Sequence, residues 1–100
     1  MYDMKNIAKF KKLSELAPEA FKAFVEFDTA ALKEGAIPVK YKELMAVAVA
    51  LTTQCPYCIE IHTKKAKTAG ATEQELAETT LVAAALRAGG AVAHGTHTIS

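Results

Sequence analysis

No stretch of this chain alternates apolar and polar residues with the period of two that a half-buried β-strand requires. Glycine and proline instead divide the sequence into stretches in which apolar residues recur at helical spacing. The chain has 100 residues, of which 51% are hydrophobic and 23% charged. That composition is ordinary for one globular domain and leaves no room for a second. We therefore expect a single all-α domain of about five to six helices over residues 1–100.

Two helices are predicted in the first half of the chain. The first begins near Pro18, which suits a first-turn position, and stops at Gly35, which can adopt the left-handed conformation that ends helices. The second follows Pro38 and continues to about Thr53. Its segment Leu44–Leu51 is apolar on every side, so we expect a central helix packed all round. The side of the first helix expected to face the core carries Phe21, Phe24, Val25 and Leu32.

Two further helices are predicted in the second half. One starts at the cysteines and ends at Gly70. Thr72 and Glu75 then have the spacing of a capping box, which places the start of a helix that continues to Arg87 and stops at the glycines that follow, Gly89 and Gly90. Residues 91–100 receive no assignment.

The charges of the chain nearly balance, with twelve basic and eleven acidic residues and a net charge of +1. Such a balance provides no field that would collect nucleic acid or an anionic membrane. The local excess near the start is interpreted as a solvated helix face; it consists of Lys5, Lys9, Lys11 and Lys12.

The longest uninterrupted apolar run, Leu44–Leu51, is far shorter than the roughly 20 residues that cross a bilayer. The amino-terminal residues also lack the apolar segment of a signal peptide. We therefore expect a cytoplasmic protein with no membrane or nucleic-acid partner. A domain of this size exposes much of its surface, and its apolar fraction is high, so we expect a homo-oligomer.

Cys55 and Cys58 form a Cys-x-x-Cys pair, which in a reducing compartment indicates a reactive or metal-binding site more than a permanent bridge. Pro56 is best placed in the first turn of a helix that Cys55 caps. Unpaired N–H groups and the helix dipole favour a thiolate at that position, so they should lower the thiol pKa from about 8.5. A thiolate is the form that attacks a peroxide or a disulfide.

One face of the helix that follows carries the reactive residue types. At about 100° per residue, a narrow stripe contains both sulfurs and His62, with the charged residues opposite. His62 lies one turn after Cys58, so its ring is placed to serve that sulfur as a base or to pass a proton through water. The stripe consists of Cys55, Cys58, His62, Ala66 and Ala69, and the opposite face of Glu60, Lys64 and Lys67.

Three other interpretations of these residues stay open. The cysteines could be small buried residues, and the histidine a satisfied core residue, in an oligomeric scaffold without redox activity. The pair could also serve a general disulfide reductase or redox sensor. A zinc-stabilised interaction domain would use Cys55, Cys58 and His62 as ligands, with His94 or His97 as the fourth. Because no second Cys-x-x-Cys exists, we favour redox chemistry over zinc.

Glu43 is an acid on the otherwise apolar central helix, in a stripe with Val47, Ala50 and Gln54 that leads toward the cysteines. It could simply interact with the dipole at its own helix start. If the chain folds back near Cys55, however, Glu43 lies about one turn past His62. Proximity of these two groups is thus a hypothesis that the fold must decide.

Glu43, Cys55-Pro56-Tyr57-Cys58 and His62 together resemble the active-site signature of the alkylhydroperoxidase D-like branch of the carboxymuconolactone decarboxylase family. The similarity covers about residues 35–95. It implies an all-helical fold that assembles as trimers or hexamers and reduces hydroperoxides through an intramolecular disulfide. It also implies that Cys58 forms the sulfenic acid, that Cys55 donates a proton and resolves it, and that Glu43 and His62 relay protons.

The resemblance has one departure and one consequence for partners. Tyr57 stands where the best-known members have a histidine, which removes any proton route through that position. The lactone decarboxylases of the family generally lack the cysteine pair, so its presence argues against decarboxylation.

No dinucleotide or flavin fingerprint is found, so we expect no cofactor. Electrons are then expected from an external dithiol, either a lipoyl or a thioredoxin-like protein or a small thiol.

Helix-terminus electrostatics and the family resemblance predict different cysteines as the first nucleophile. Helix-terminus electrostatics alone favour Cys55 as the more acidic thiol and the first nucleophile. The family resemblance assigns that role to Cys58. We follow the resemblance, because His62 lies one turn from Cys58 and can serve it as a base.

Overall fold

The computed structural model describes residues 3–100, and these residues form helices without any β-strand. The prediction of an all-α fold with about five to six helices is therefore confirmed. Short 3₁₀ segments flank the helices at Met4–Lys9 and Thr96–Thr98. The five helices are α1 (Phe10–Leu16), α2 (Pro18–Leu32), α3 (Val39–Thr53), α4 (Pro56–Thr68) and α5 (Glu73–Gly95).

The core lies where α3 packs against α4 and α5. It is built from small side chains, and Ala66 of α4 is completely buried. The other buried residues are Glu43, Val47 and Ala50 of α3 and Ala83 of α5. Small residues at these positions let the three helices approach closely, and they place one carboxylate, that of Glu43, inside the core.

α2 begins at Pro18 as predicted but ends at Leu32, so the predicted end at Gly35 is wrong. Lys33 is already extended, with φ −74° and ψ 161°. The last carbonyls of the helix are satisfied from outside, since Nζ of Lys42 donates to the carbonyl oxygens of Ala31 at 2.9 Å and Lys33 at 2.8 Å. A lysine side chain from α3 thus ends this helix where a glycine was expected.

α3 follows Pro38 and ends at Thr53 as predicted, but it is not packed all round. Met45 is 51% exposed and Val49 60% exposed, because α4 and α5 cover only one side of the helix. The expected core stripe of α2 is likewise open, with Phe24 58% and Val25 43% exposed. Both corrections have one cause: within a single chain these helices have neighbours on one face only.

The starts of α4 and α5 match the predicted caps. Gln54 takes the left-handed conformation that ends α3, and Cys55 is the N-cap of α4. Thr72 and Glu75 form the full capping box of α5. The predicted stop at Gly89 and Gly90 is wrong, since α5 continues to Gly95. Each glycine costs about 1 kcal/mol relative to alanine in a helix, which weakens the helix without ending it.

The chain is extended for its size. Its radius of gyration is 16.6 Å, against about 13 Å expected for a compact domain of this length. Its accessible surface of 7610 Å² exceeds the roughly 5,500 Å² expected for a compact monomer of this mass by about 2,100 Å². α1 and α2 pack mainly on each other, with the rings of Phe10 and Phe21 6.0 Å apart.

Much of the exposed apolar surface belongs to α5, where Leu81 and Leu86 are both 69% exposed. Within the helical segment Glu73–Thr98, the most apolar window of 18 residues has a mean hydropathy of 1.2 and is 6% buried. By length and composition alone it could cross a membrane. The core helix of a soluble protein passes the same test.

Candidate active site

The site is built on the α3–α4 hairpin. Gln54, at φ 55°, turns the chain sharply between the helices, and the N–H of Cys55 donates to the carbonyl oxygen of Ala50. Pro56 then occupies the first turn of α4, where its missing N–H costs no hydrogen bond. The result places Cys55 at the amino end of α4, as the sequence predicts.

The two cysteines are free and half-buried, and they share hydrogen bonds. The Cys58 thiol and the Cys58 backbone N–H, whose nitrogen is 3.3 Å from Sγ of Cys55, both donate to the Cys55 sulfur. These bonds hold the pKa of Cys55 below its ordinary value. Donation to Cys55, together with burial, raises the pKa of Cys58 to about 11. The negative charge of the reduced pair therefore resides on Cys55.

Asp28 is a charged residue near Cys58 that the sequence analysis did not single out. It lies on α2, half-buried, and its negative charge adds to the rise in the pKa of Cys58. A like charge nearby disfavours a thiolate. No local pattern links Asp28 to the cysteines, because α2 meets the α3–α4 hairpin only through the tertiary fold.

Glu43 and His62 form the second part of the site. Oε1 of Glu43 lies 2.6 Å from Nδ1 of His62, and Glu43 is only 4% exposed. When Glu43 is ionised, its carboxylate can only accept hydrogen bonds, so Nδ1 then carries the proton and Nε2 is left able to accept another. In that arrangement the contact orients the imidazole and selects its tautomer.

The predicted stripe of α4 faces the interior, and the charged face opposite it is exposed. Ala66 is buried while Cys55, Cys58 and His62 are half-buried, and the charged residues of the opposite face are exposed. Glu43 of α3 lies next to His62, as the sequence suggested for a chain that folds back near Cys55. Val47 and Ala50 are buried on the same side of α3, whereas Gln54 is exposed at the turn.

Tyr57, which lies between the cysteines, is held by the start of the chain. Nδ2 of Asn6 donates to its phenolic oxygen at 3.1 Å, and the N–H of Asp3 does so at 3.3 Å. Position 57 thus joins α4 to the first 3₁₀ segment. The phenol has a structural partner of its own in this arrangement.

Nothing in the part of the chain from residue 3 onward groups three or more His, Cys, Asp or Glu side chains as a metal site would require. His94 lies near the end of α5 and His97 in the 3₁₀ segment that follows, with their rings 5.9 Å apart. Nδ1 of His94 is 3.1 Å from the carbonyl oxygen of Gly90. Neither histidine completes a ligand set with the cysteines.

Comparison with known proteins gives a consistent family. The model of the carboxymuconolactone decarboxylase family matches residues 18–98. An uncharacterized protein of the cox locus of Paracoccus denitrificans is 47% identical over 72% of this chain. An uncharacterized protein of Cupriavidus necator is 39% identical over 70% of it. The matched region spans 65% and 62% of the lengths of these two relatives, just under two thirds.

Two solved structures share the fold. The apo form of a carboxymuconolactone decarboxylase family protein from Legionella pneumophila is 37% identical with a TM-score of 0.78, covering 83% of this chain and 75% of its own. A Methanobacterium thermoautotrophicum protein is 35% identical with a TM-score of 0.82, covering 88% of this chain and 99% of its own. The helical arrangement around the site is therefore shared with proteins of similar sequence.

Proposed function

Since the chain belongs to the carboxymuconolactone decarboxylase family, which includes alkylhydroperoxidase D-like members, we propose that it is a thiol-dependent peroxidase. Cys55 and Cys58 reduce a hydroperoxide and cycle between dithiol and disulfide. Glu43 and His62 move the protons that the cycle requires. No bound cofactor takes part, and the electrons come from an external dithiol.

The hydrogen bonds that Cys58 donates to the Cys55 sulfur carry this proposal. They lower the pKa of Cys55, which favours a thiolate at the amino end of α4, and they keep a second thiol in contact with it. A thiolate is needed to start thiol chemistry at neutral pH, and an adjacent thiol is needed to finish it as a disulfide before further oxidation. An inert buried pair needs neither feature.

The first step is attack of Cys58 on the peroxide. Cys58 passes its proton along the existing hydrogen bond to Cys55, and its sulfur attacks the terminal peroxide oxygen. The O–O bond breaks, Cys58 becomes a sulfenic acid, and the departing alkoxide takes the proton from Cys55 to leave as the alcohol. A thiol of higher pKa is the stronger nucleophile once it is ionised, which favours Cys58 for the attack.

The second step forms the disulfide. His62 first takes up one proton from solution at Nε2. The Cys55 thiolate attacks Sγ of Cys58, the S–S bond forms, and the hydroxide that leaves takes that proton from His62 to become water. Glu43 keeps His62 oriented and stabilises its protonated ring. Counted from a reduced state with one thiolate, the oxidation consumes one proton from solution.

An external dithiol then restores the reduced pair. Its thiolate attacks the disulfide at Cys58 and releases Cys55, because the thiol of lower pKa leaves faster. The donor's second thiol resolves the mixed disulfide, the donor is oxidised, and one proton returns to solution. A lipoyl or thioredoxin-like protein has the required chemistry.

We further propose that the chain works as a trimer or hexamer in the cytoplasm. The excess surface of about 2,100 Å² exceeds what one partner buries in a standard interface, roughly 800 Å², so each chain needs more than one neighbour. α5 fits such packing better than a bilayer, since Arg87 lies near the middle of the segment Glu73–Thr98. An arginine at the centre of a spanning helix costs about 2.5–3.5 kcal/mol.

The proposal is tested by comparing two substrates under turnover with a dithiol donor. We expect the protein to turn over tert-butyl hydroperoxide faster than a model disulfide. The reverse order would favour the second candidate, a general disulfide reductase that uses the same pair.

A further inference from the structure

Glu43 has one carboxylate oxygen that the pairing with His62 does not use. Within residues 3–100 its side chain makes a single hydrogen bond, through Oε1. Over the same residues, no buried side-chain nitrogen or oxygen lacks a partner. Oε2 of Glu43 therefore reaches accessible space, although the side chain as a whole is only 6% exposed.

Glu43 lines a cavity of about 400 Å³ between the start of α3 and the end of α4, and we assign Oε2 to this cavity. Two lysines of α4, Lys64 and Lys65, are exposed at its edge, and no ion pair within the described part of the chain engages either of them. Hydrated ammonium groups at the edge favour water in the cavity. Its walls are Val39, Glu43, Lys64, Lys65, Thr68 and Ala69.

The cavity lies at the end of α4 away from the thiols. Thr68 comes ten positions after Cys58, which places it about 15 Å further along the helix axis. His62 lies between them on the same helix, and its Nδ1 faces Glu43. Along the direction of α4 the thiols therefore come first, then His62 with the carboxylate of Glu43 beside it, and then the cavity.

We propose that Glu43 exchanges protons with bulk water through this cavity, which we call the Glu43 port. The inference rests on the proposed function for its purpose. One proton enters with each oxidation of the cysteine pair and one leaves with each reduction. The port lets that proton pass through Glu43 and His62 without crossing the surface where peroxide and donor must bind. Peroxide and proton thus reach the pair from opposite ends of α4.

The test measures how fast the proton on Nδ1 of His62 exchanges with water, by NMR of the histidine-labelled protein. Val39→Phe and Ala69→Phe place an aromatic ring in the port from α3 and from the end of α4. We expect each to slow the exchange by about tenfold or more, because the proton must then wait for a local opening. The matched control, Thr63→Phe on another face of α4, should leave the exchange rate unchanged.

A second arm uses the unaltered chain with both cysteines alkylated by iodoacetamide, and it gives a result even if a port variant fails to fold. We expect the alkylated protein to exchange at the rate of the free protein. Slower exchange there, or unchanged exchange in correctly folded Val39→Phe and Ala69→Phe, would overturn the port. Peroxide turnover is measured separately, so a protein without peroxidase activity refutes the proposed function and not the port.

Discussion

Oε1 of Glu43 on α3 lies 2.6 Å from Nδ1 of His62 on α4, and this contact joins the two halves of the hairpin that carries the cysteines. Glu43→Gln keeps the size of the side chain but removes the charge that stabilises a protonated imidazole. We expect peroxide consumption to fall by about 100-fold, the lower end of what general acid–base groups contribute.

The measurement is stopped-flow consumption of tert-butyl hydroperoxide by the reduced variant. Glu60→Gln, on the exposed face of α4, serves as the matched control and should react at the wild-type rate. Full activity in correctly folded Glu43→Gln would remove Glu43 from the proton relay and leave it a structural partner of His62.

The unequal thiols give a pH prediction. The pKa of Cys55 is lowered from its ordinary value of 9.0, whereas that of Cys58 is raised to about 11. Ultraviolet absorbance of the thiolate should therefore rise in two separate steps, one below pH 9 and one near pH 11. Because the sulfurs are in contact, the two midpoints belong to the pair as a whole.

Single variants separate the two contributions. In Cys58→Ala the Cys55 sulfur loses its side-chain donor, so the pKa of Cys55 should move back toward 9.0. In Cys55→Ala the pKa of Cys58 should fall from about 11, since the Cys55 acceptor and its charge are gone. A single two-thiol step in the wild type near the ordinary cysteine value would contradict the shared hydrogen bond.

The capping box of α5 gives a stability prediction. The hydroxyl of Thr72 accepts from the N–H of Glu75 at 3.0 Å, and the Glu75 carboxylate accepts from the N–H of Thr72 at 2.9 Å. Thr72→Ala should lower the free energy of unfolding by about 1 kcal/mol, measured by urea denaturation. Thr80→Ala, which removes only a hydroxyl bonded within its own helix, should cost less than about 0.5 kcal/mol. Equal losses in both variants would show that the cap contributes nothing specific.

The exposed face of α5 gives an assembly prediction. Light scattering after size exclusion should report three or six times the chain mass of 10.7 kDa. Leu86→Glu, at a leucine that is 69% exposed in the single chain, should lower that mass because a buried charge destabilises a subunit contact. Gln74→Glu, outside the apolar face, should not. A wild-type monomer would refute the oligomer and leave the apolar face unexplained.

Local signals accounted for what the sequence predicted well. The cysteine before a proline predicted the cap of α4, and the threonine three positions before a glutamate predicted the cap of α5. Each pattern concerns residues within one helical turn, and the structure contains both caps. The stop expected at Gly89 and Gly90 failed because a glycine only lowers helix propensity.

Contacts between helices were harder to predict from the sequence. The pairing of Glu43 with His62 depends on the angle of the α3–α4 turn, so spacing could suggest it but not establish it. Asp28 reaches the site only through the packing of α2, for which no local pattern exists. The exposure of Phe24 and Met45 in the single chain was not predicted, because a hydrophobic pattern reports only that a side chain should be covered and not what covers it.

The central claim is that peroxide oxidises Cys58 and that Cys55 resolves it, and a single-turnover reaction tests it most directly. Reduced protein is mixed with one equivalent of tert-butyl hydroperoxide, quenched with iodoacetamide and analysed by mass spectrometry. The wild type should lose both alkylation sites and contain a Cys55–Cys58 disulfide, and Cys55→Ser should stop at a sulfenic acid on Cys58. Two thiols that stay alkylatable in the wild type, or a Cys58→Ser variant that consumes peroxide at the wild-type rate, would contradict the account.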